Sequence, residues 1–401
     1  MRELAPGWTL SKVGGLFDMQ LGKMLSKEAS AGPEQRRYLT NKNVQWNRID
    51  FEALNYMSFS SAEREKFRLV PGDLLVTEGG EVGRTAMWEE EREECYFQKS
   101  LHRLRSRGQI EPRYMLHYMS YAARWQMFTD SVGQTSIAHL PQDKFAEHFV
   151  AHPVDLAEQR RIVEVIDSLA ELEHGIEASI AKFEALRLGV MQELAELECG
   201  KLDEVLKLGP QNGIYKPASS YGLQGTPIVR IDSFSRGESD LTRGLLRVAV
   251  SGREVARYGL SVGDIVINRV NTPDLVGKST SVRGLIEPTI FESNMMRCKL
   301  HRSLADPVFT ETWLGSSTVK RYFLGRAKSA ISQASINGDD VRNCPFPKMN
   351  VAEQLAFLER LEAVEDQRLA EAAEHAKLRQ LKLGLVDDLL SGRVAPSAVA
   401  A

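Results

Sequence analysis

The chain contains the same phrase twice, and this internal repeat constrains its fold more than any other feature. "LAEQRRIVEVIDSLA" (156–170) is matched by "VAEQLAFLERLEAVE" (351–365), and "LRLGVMQEL" (186–194) is matched by "LKLGLVDDL" (381–389), both 195 positions later. Upstream, Gly72-Asp73 and Gly263-Asp264 correspond at a distance of 191. A repeat of this size has to be explained before any element is assigned. It indicates a tandem duplication in which the first part of each copy varies and the second part keeps its length.

Length and composition are consistent with a duplicated globular protein. The 401 residues predict two or three domains, and 43% hydrophobic residues can supply their cores. No run of 18 apolar residues and no secretory signal is present, so we expect a cytoplasmic chain that makes no contact with membranes. The four cysteines form no C-x-x-C pair, which argues against a disulfide framework or a cysteine zinc site.

The net charge of −3 conceals an uneven distribution along the chain. Residues 1–150 carry 20 basic and 20 acidic side chains, whereas residues 201–350 carry 21 and 14. The repeated segments are acidic, with 4 basic against 11 acidic residues in 151–200 and 6 against 9 in 351–401. Because phosphate binding depends on the local field, the overall charge does not exclude DNA. It argues only that the repeated segments are not the parts that touch it.

Each repeated segment carries a heptad pattern typical of a coiled coil. A helix of roughly 40 residues would span about 60 Å, so it needs a partner along its length. Two ordinary surface helices are the alternative, but the equal length of the copies favours an antiparallel pair. Each predicted helix follows a proline, and Gly392 is a suitable C-cap for the second. The predicted seam residues are Ile162, Ile166, Leu169, Ile176, Ile180 and Phe183 in the first helix and Phe357, Leu361, Leu378, Leu385 and Leu389 in the second.

The variable segments have a different pattern. Short stretches rich in β-branched and aromatic residues, such as "PGDLLVTEGG" and "VGDIVINRV", are separated by Gly, Pro and Asp, which predicts strands joined by turns. Residues 112–128 and their counterpart 307–324 carry a helical stripe after these strands. Each variable segment is therefore predicted to be a small α+β domain.

The ordered set of these motifs is similar to the specificity subunit of type I DNA restriction-modification systems. The set comprises a Gly-Asp strand, a Gly-x-Val-Gly turn, a "FQKSLHRLR" strand, a Gln-Thr-Ser-Ile loop, and Ala-Glu-Gln opening a long helix, with most of it echoed in the second half. The resemblance implies an α+β fold with two tandem, similar target-recognition domains separated by two long helices. The helices would form an antiparallel coiled coil with pseudo-two-fold symmetry.

The resemblance also implies domain boundaries. The expected order is a first target-recognition domain over 1–152, a coiled-coil helix over 153–198, a second target-recognition domain over 199–347, a second helix over 348–393, and a flexible tail over 394–401. The second domain departs from the first at Asn268–Pro273, where the first has Thr-Glu-Gly-Gly, and in its Gln-Ala-Ser-Ile loop. These departures concern the shape of the second domain's loops.

The resemblance further implies a function without catalysis. Each domain would recognise one half of a bipartite target in double-stranded DNA, and the helices would set the spacer and dock two methyltransferase subunits. Methyl transfer from S-adenosylmethionine to adenine would belong to those partners, so no cofactor, metal or catalytic residue is expected in this chain. Motor-nuclease (restriction) subunits belong to the same systems, and the sequence leaves open whether this chain has such a partner.

Candidate DNA-binding residues are polar and basic side chains in the variable segments. Arginine pairs with guanine, asparagine and glutamine pair with adenine, and phosphate contacts set position. The alternative for each cation is a solvated charge or an ion pair, and Arg103, Arg105 and Arg107 belong together as one basic stripe or one ion-paired row. The candidates are Lys42, Arg84, Lys99, Arg103, Arg105, Gln134 and Thr135 in the first domain, and Lys216, Arg230, Arg269, Lys278, Arg326, Lys328, Gln333 and Ser335 in the second.

Two other functions are alternatives to DNA recognition. A self-contained DNA-modifying enzyme would need a nucleotide site, but "TPDLVGKST" (272–280) lacks the first glycine of a P-loop and no G-x-G-x-x-G is present. His148 and His152 lie four apart without an evident third ligand, so a zinc site is not expected. A coiled-coil scaffold with no role in DNA binding would leave the two strand-rich domains unexplained.

Overall fold

The computed structural model describes residues 4–90, 94–128, 139–234, 240–329 and 333–394. The chain divides into two compact units, one formed by Met1–Glu177 with Ala373–Ala401 and the other by Ala178–Ala372. Of the predicted tail, residues 395–401 lie outside the described ranges. Within those ranges, no helix is both long enough and apolar enough to cross a membrane.

The first unit combines short strands with helices. Its elements are β1 Trp8–Lys12, α1 Val13–Leu16, β2 Phe17–Leu21, α2 Lys27–Ala31, β3 Gln35–Leu39, β4 Val44–Gln45, β5 Arg48–Ile49, β6 Asn55–Ser58, α3 Ser61–Phe67, β7 Leu74–Thr77, β8 Thr85–Met87, β9 Tyr96–Phe97, β10 Leu101–Ser106, α4 Pro112–Arg124, α5 Gln142–Ala146 and β11 Phe149–Pro153.

The long helix α6, Leu156–Ala195, then leads into the second unit. The elements that follow are β12 Cys199–Lys201, β13 Leu206–Asn212, β14 Tyr221–Gly222, β15 Thr226–Val229, β16 Arg247–Val248, α7 Gly252–Tyr258, β17 Ile265–Asn268, β18 Val270–Asn271, β19 Ser279–Ser281, β20 Ile290–Phe291, β21 Met295–Leu300, α8 Pro307–Leu314, α9 Ser317–Arg326, β22 Lys328–Ser329, β23 Ala334–Ser335, α10 Gly338–Arg342, β24 Pro345–Pro347 and the second long helix α11, Val351–Leu390.

The two units repeat the same sheet topology. A four-stranded antiparallel sheet has the order β2-β10-β7-β8 in the first unit and β13-β21-β17-β19 in the second. Each unit also has a parallel pair, β3 with β9 and β15 with β20. The strands β7 and β17 are wholly buried and, apart from Thr77 and Asn268, apolar, because they lie inside their sheets with both faces covered. The duplication predicted from the sequence is therefore a duplication of fold.

The helical segments after the sheets differ between the units. The stripe at 112–128 contains one helix, α4, which ends at Arg124, whereas 307–324 contains two helices, α8 and α9, rather than the single counterpart expected. The break has a local cause. Gly315 ends α8, and the Ser316 hydroxyl accepts a hydrogen bond from the Val319 amide at 3.3 Å, which starts a new helix.

The long helices α6 and α11 are antiparallel within each unit. In the first unit, Ile162 and Ile166 near the start of α6 share a core with Leu389 near the end of α11. In the second unit, Leu194 near the end of α6 shares a core with Phe357 near the start of α11. Both helices have 40 residues. The predicted α+β fold with two long antiparallel helices is confirmed.

Candidate DNA interface and paired helices

A buried glutamine anchors the start of each long helix, and it explains why Ala-Glu-Gln occurs twice. The side-chain oxygen of Gln159 accepts a hydrogen bond from the Glu111 amide at 2.8 Å, and its NH2 group donates to the Pro153 carbonyl at 2.8 Å. Gln354, 195 positions later, accepts from the Asp306 amide at 2.8 Å and donates to the Met349 carbonyl at 2.9 Å. Both glutamines are 0% exposed. They tie each long helix to its own domain.

A second repeated pair supports the central sheets. The Asp73 carboxylate accepts from the Val70 amide at 2.9 Å, and the Asp264 carboxylate accepts from the Ser261 amide at 3.0 Å. Both carboxylates are buried and face a cation from the neighbouring strand. Burial raises the pKa of Asp264. The repeated Gly-Asp motif therefore serves the fold.

Two of the predicted DNA-binding arginines, Arg103 and Arg105, are engaged inside the first domain. Arg103 is 4% exposed and donates to the Lys66 carbonyl at 3.0 Å and to Asp18 at 2.9 Å. Arg105 binds the Asp73 carboxylate through two hydrogen bonds of 2.7 Å. Of the two alternatives for this strand, the ion-paired row describes both residues. Neither enters the interface proposed below.

The other candidate cations of the first domain lie around the loop after β3. Arg84 donates to the Asn41 carbonyl at 2.7 Å and pairs with Glu81 at 3.3 Å. The Asn41 amide in turn donates to the Ser100 hydroxyl at 3.2 Å. Lys42 and Lys99, the neighbours of these two residues, are exposed. We call Lys42, Arg84 and Lys99 the first basic patch.

Two of the first-domain candidates cannot be placed. Gln134 and Thr135 fall in 129–138, outside the described residues. The segment begins beyond Phe128 and ends before His139, which forms an isolated β-bridge with Gly79. Gly79 lies in the turn after β7, whose Glu81 pairs with Arg84 of the first basic patch.

The predicted residues of the second domain gather at a small three-stranded sheet, β18-β23-β22. Ser335 on β23 is paired with Val270 on one side and with Lys328 on the other. Arg269 directly precedes β18, Gln333 directly precedes β23, and Arg326 ends the helix before β22. Lys328, Gln333 and Arg326 are exposed. We call Arg269, Arg326 and Lys328, with Gln333 and Ser335, the second basic patch.

The other three candidates of the second domain are held by their own unit. Lys278 donates to the Ile231 carbonyl at 3.1 Å and to the Phe234 carbonyl at 2.6 Å, as Arg84 does to the corresponding loop of the first domain. Arg230 lies 3.6 Å from Glu292, and Lys216 lies 2.9 Å from Glu254. The lysine of the P-loop-like segment is thus bound to main-chain carbonyls.

All predicted seam residues of the long helices are buried or half-buried. Three of them, Ile162, Ile166 and Leu389, also belong to the hydrophobic core of the first unit. Ile176 and Leu378 are buried without belonging to that core, so they are protected by the helix pair itself.

Polar layers interrupt the seam where the sequence places charged residues. In the first unit, Glu173 of α6 accepts a hydrogen bond from Lys382 of α11 at 2.6 Å and lies 3.6 Å from Arg379. His375 lies 3.3 Å from Glu177 and 3.7 Å from Glu173. The hydrogen bond from Lys382 lowers the pKa of Glu173. We assign this cluster to helix pairing, because an acid facing several bases on the partner helix favours one register.

Four histidines of the first unit are buried or half-buried and are called the packed histidine set. Burial lowers the pKa of each. Two of these residues are the histidines that lie four apart in the sequence: the ring centres of His148 and Phe128 are 4.9 Å apart, and His152 Nε2 lies 3.0 Å from the Ser11 hydroxyl. The set is His102, His117, His148 and His152.

Exposed leucines on the long helices were not assigned a role from the sequence. Leu172 and Leu381 precede the paired residues Glu173 and Lys382, and they are 52% and 70% exposed. Because α6 and α11 are antiparallel here, residues directly preceding a facing pair lie on the same flank. The sequence signal was the repeated "LRLG" and "LKLG", whose leucines are exposed in both copies.

Comparison with known proteins supports one family. Residues 6–182, less than half of the chain, match the family described as the type I restriction modification DNA specificity domain. A putative type I restriction enzyme specificity subunit from Methanocaldococcus jannaschii is 24% identical over 176 residues, which is 43% of this chain and 40% of the relative. The aligned region thus spans well under two thirds of that relative.

Solved structures of similar fold cover nearly the whole chain. The HsdS subunit from Thermoanaerobacter tengcongensis aligns with a TM-score of 0.58 and 17% identity, covering 98% of this chain and 99% of that one. The S subunit of a type I restriction-modification system from M. genitalium aligns with a TM-score of 0.51 and 13% identity, covering 96% of each chain. At these identities the likeness concerns the fold. Together with the family match over residues 6–182 and the internal repeat, it makes the chain similar in fold to type I restriction-modification specificity subunits.

Proposed function

We propose that the protein recognises a bipartite sequence in double-stranded DNA, with each variable domain binding one half. The observation that carries this proposal is that the two units share a buried frame and differ in their exposed patches. Asp73 and Asp264, and likewise Gln159 and Gln354, occupy equivalent buried positions. A common frame with different contact residues is what two recognition domains with different half-sites require.

The chemistry of the patches fits DNA. Lysine and arginine bind phosphate oxygens and fix the position of a domain, while glutamine and serine can form hydrogen bonds with base edges. The second basic patch contains both kinds of side chain, with Lys328 and Ser335 on directly opposed strand positions. Duplicated domains suit the two-fold symmetry of a duplex, and unlike patches allow an asymmetric target.

In this proposal the chain supplies recognition, and methyl transfer to adenine belongs to methyltransferase partners. The proposal is supported by the family match. It is also supported by Lys278, whose amine donates to two main-chain carbonyls of its own domain instead of facing a nucleotide site. The two long helices would set the spacer between the half-sites. Restriction subunits, where the system has them, would join the same assembly.

We further propose that methyltransferase subunits dock on the exposed leucines of the long helices. Leu172 and Leu381 flank the polar layer in the first unit, and Leu186 occupies the corresponding repeat position to Leu381 on α6 in the second. Leu186 and Leu381 are exposed leucines at repeated positions, whereas Leu172 corresponds to Gln367 in the second copy. The repeated pair fits a partner that binds in two copies, once on each repeat.

The docking proposal is tested with Leu172→Ser combined with Leu381→Ser. Because both side chains are exposed, the free energy of unfolding of the variant should lie within about 0.5 kcal/mol of the wild-type value. It should lose co-purification with the methyltransferase, whereas Leu355→Ser, an exposed leucine near the start of α11, should retain it. Normal assembly of the double variant would place the methyltransferase elsewhere.

The main proposal is tested by mapping methylated adenines in a host that carries this chain and its methyltransferase. We expect methylation at one bipartite sequence and none when the gene for this chain is deleted. The purified chain alone should neither methylate nor cleave DNA. Methyl transfer by the chain without a partner, or methylation that persists without it, would contradict the proposal.

A further inference from the structure

We propose that the second basic patch is the electrostatic anchor of the protein on DNA and supplies most of its non-specific affinity. The inference rests on the proposed DNA-recognition function and goes beyond it, because it assigns unequal roles to the two domains. The first domain would contribute sequence discrimination with little net attraction.

The charge balance of the two variable segments motivates this inequality. Residues 201–350 have 21 basic and 14 acidic side chains, whereas residues 1–150 have 20 of each. Five glutamates within 89–94 account for part of the difference in the first segment. Non-specific DNA affinity comes almost entirely from the net attraction of cations to phosphates, so it should follow the segment with the surplus.

The three-stranded sheet presents Lys328 outward. Residues directly opposite each other in an antiparallel pair share one face of the sheet. Val270, Ser335 and Lys328 therefore share one face, and Ala334 lies on the other. Ala334 is buried in the core of the second unit, whereas Lys328 is exposed. The face that carries Lys328 and Ser335 is the outer one.

Arg326 is held in place beside this face. Its guanidinium lies 5.5 Å from the ring centre of Tyr322, and the Tyr322 hydroxyl donates to the Asp340 carbonyl at 3.0 Å. A cation stacked on a fixed aromatic ring loses less freedom when it binds a phosphate. The Arg326 guanidinium is therefore positioned to bind an anion from outside the chain.

The nearby carboxylates are already engaged. Asp340 accepts a hydrogen bond from the Asn337 amide at 2.8 Å, and Asp339 lies 3.2 Å from Arg342. Among the described residues, Arg326 and Lys328 have no ion-pair partner. In the first domain, by contrast, Arg84, Arg103 and Arg105 all face a carboxylate, and among its candidate cations only Lys42 and Lys99 have no ion-pair partner in the described part of the chain. The first domain therefore neutralises its candidate arginines internally, whereas Arg326 of the second patch keeps its charge.

The test compares matched charge removals in the full chain, each measured on a mixed-sequence duplex that lacks the target. Arg326→Ala with Lys328→Ala removes two cations from the second patch. Lys42→Ala with Lys99→Ala removes two exposed cations from the first domain. Lys182→Ala with Lys377→Ala removes two exposed lysines from the acidic long helices and serves as the control.

The readout is the slope of log Kobs against log salt between about 50 and 200 mM. Each phosphate contact contributes about 0.9 to the magnitude of this slope, so the Arg326/Lys328 variant should lose about 1.8. The first-domain variant should lose less than half as much, and the helix control should match the wild type. The charge-conserving variant Arg326→Lys with Lys328→Arg should keep the wild-type slope, which distinguishes loss of charge from a folding defect.

The outcomes distinguish this inference from the proposed function. An unchanged slope in the Arg326/Lys328 variant, or an equal loss in the first-domain variant, would overturn the anchor. Failure of the wild-type assembly to prefer any sequence would instead overturn the proposed function. The slopes are measured without the target, so each result can be judged separately.

Discussion

Replacement of Gln159 by alanine tests whether the repeated glutamine anchors each long helix to its domain. The change removes four hydrogen bonds of a fully buried side chain: from the Glu111 amide at 2.8 Å, to the Pro153 carbonyl at 2.8 Å, to the Gln109 carbonyl at 3.2 Å and with His152 Nδ1 at 3.4 Å. Leaving a buried polar group without a partner costs about 1–3 kcal/mol. With part of these groups finding water, we expect Gln159→Ala to lose about 2–5 kcal/mol of unfolding free energy.

The assay is calorimetric unfolding of the single variants and of the double variant. For a unit of this size, a loss of 1 kcal/mol lowers Tm by about 2–4 °C, so Gln159→Ala should lower the transition of the first unit by about 4–20 °C. Gln354→Ala, which removes the equivalent bonds to Asp306, Leu304 and Met349, should act in the second unit. The two effects should be additive, because the sites share no residue.

Two exposed glutamines on the same helices provide the matched control. Gln192→Ala on α6 and Gln380→Ala on α11 should change stability by less than about 0.5 kcal/mol. If Gln159→Ala were as mild as Gln192→Ala, the buried hydrogen bonds would not hold the helix, and this explanation of the repeated Ala-Glu-Gln would be refuted.

Three further predictions concern the helix pair, the pH dependence and the spacer. Ile176→Asp buries an unpaired charge in the helix pair outside the domain core and should lower the free energy of unfolding by about 3 kcal/mol or more. The control Leu172→Asp changes an exposed side chain and should have a small effect. Equal denaturation midpoints for the two variants would contradict the seam assignment. Burial lowers the pKa of each member of the packed histidine set in the folded state. The unfolded chain therefore binds more protons than the folded chain once the pH falls below about 6.5. Stability of the first unit should therefore fall as the pH falls from about 6.5 through the folded pKa values, by at most about 1.4 kcal/mol per pH unit for each histidine, and calorimetry that shows no acid-side loss would contradict it. Insertion of four residues after Glu177 adds about 6 Å of helix and should lengthen the DNA spacer by about two base pairs, with both half-sites unchanged. An insertion of two residues turns the seam by about 200° and should abolish function. Methylation mapping of both variants checks these outcomes.

The sequence alone predicted the long helices because their signal is local and periodic. Seam residues recur every three or four positions, and the equal length of the copies indicated the antiparallel pairing found in both units. The split of 307–324 into α8 and α9 depends on one cap, in which the Ser316 hydroxyl meets the Val319 amide. Such a cap is easily overlooked within an apolar stripe.

Roles that depend on distant partners could not be predicted. Arg103 and Arg105 alternate on a strand as a DNA-binding row would, but their partners Asp18 and Asp73 are 85 and 32 positions away. Gln159 lies at a helix start, where a polar residue is normally exposed, and its burial depends on Glu111, 48 positions earlier. Only the exact recurrence of the glutamine in the second copy signalled its importance.

Exchange of residues 199–347 for the matching segment of a relative tests the central claim most directly. The exchanged chain would be expressed with its methyltransferase, and methylated adenines would be mapped across the host genome. If each variable domain recognises its own half-site, one half of the methylated sequence should change while the other half and the spacer stay the same. A change in both halves, or in neither, would contradict the division of recognition between the two domains.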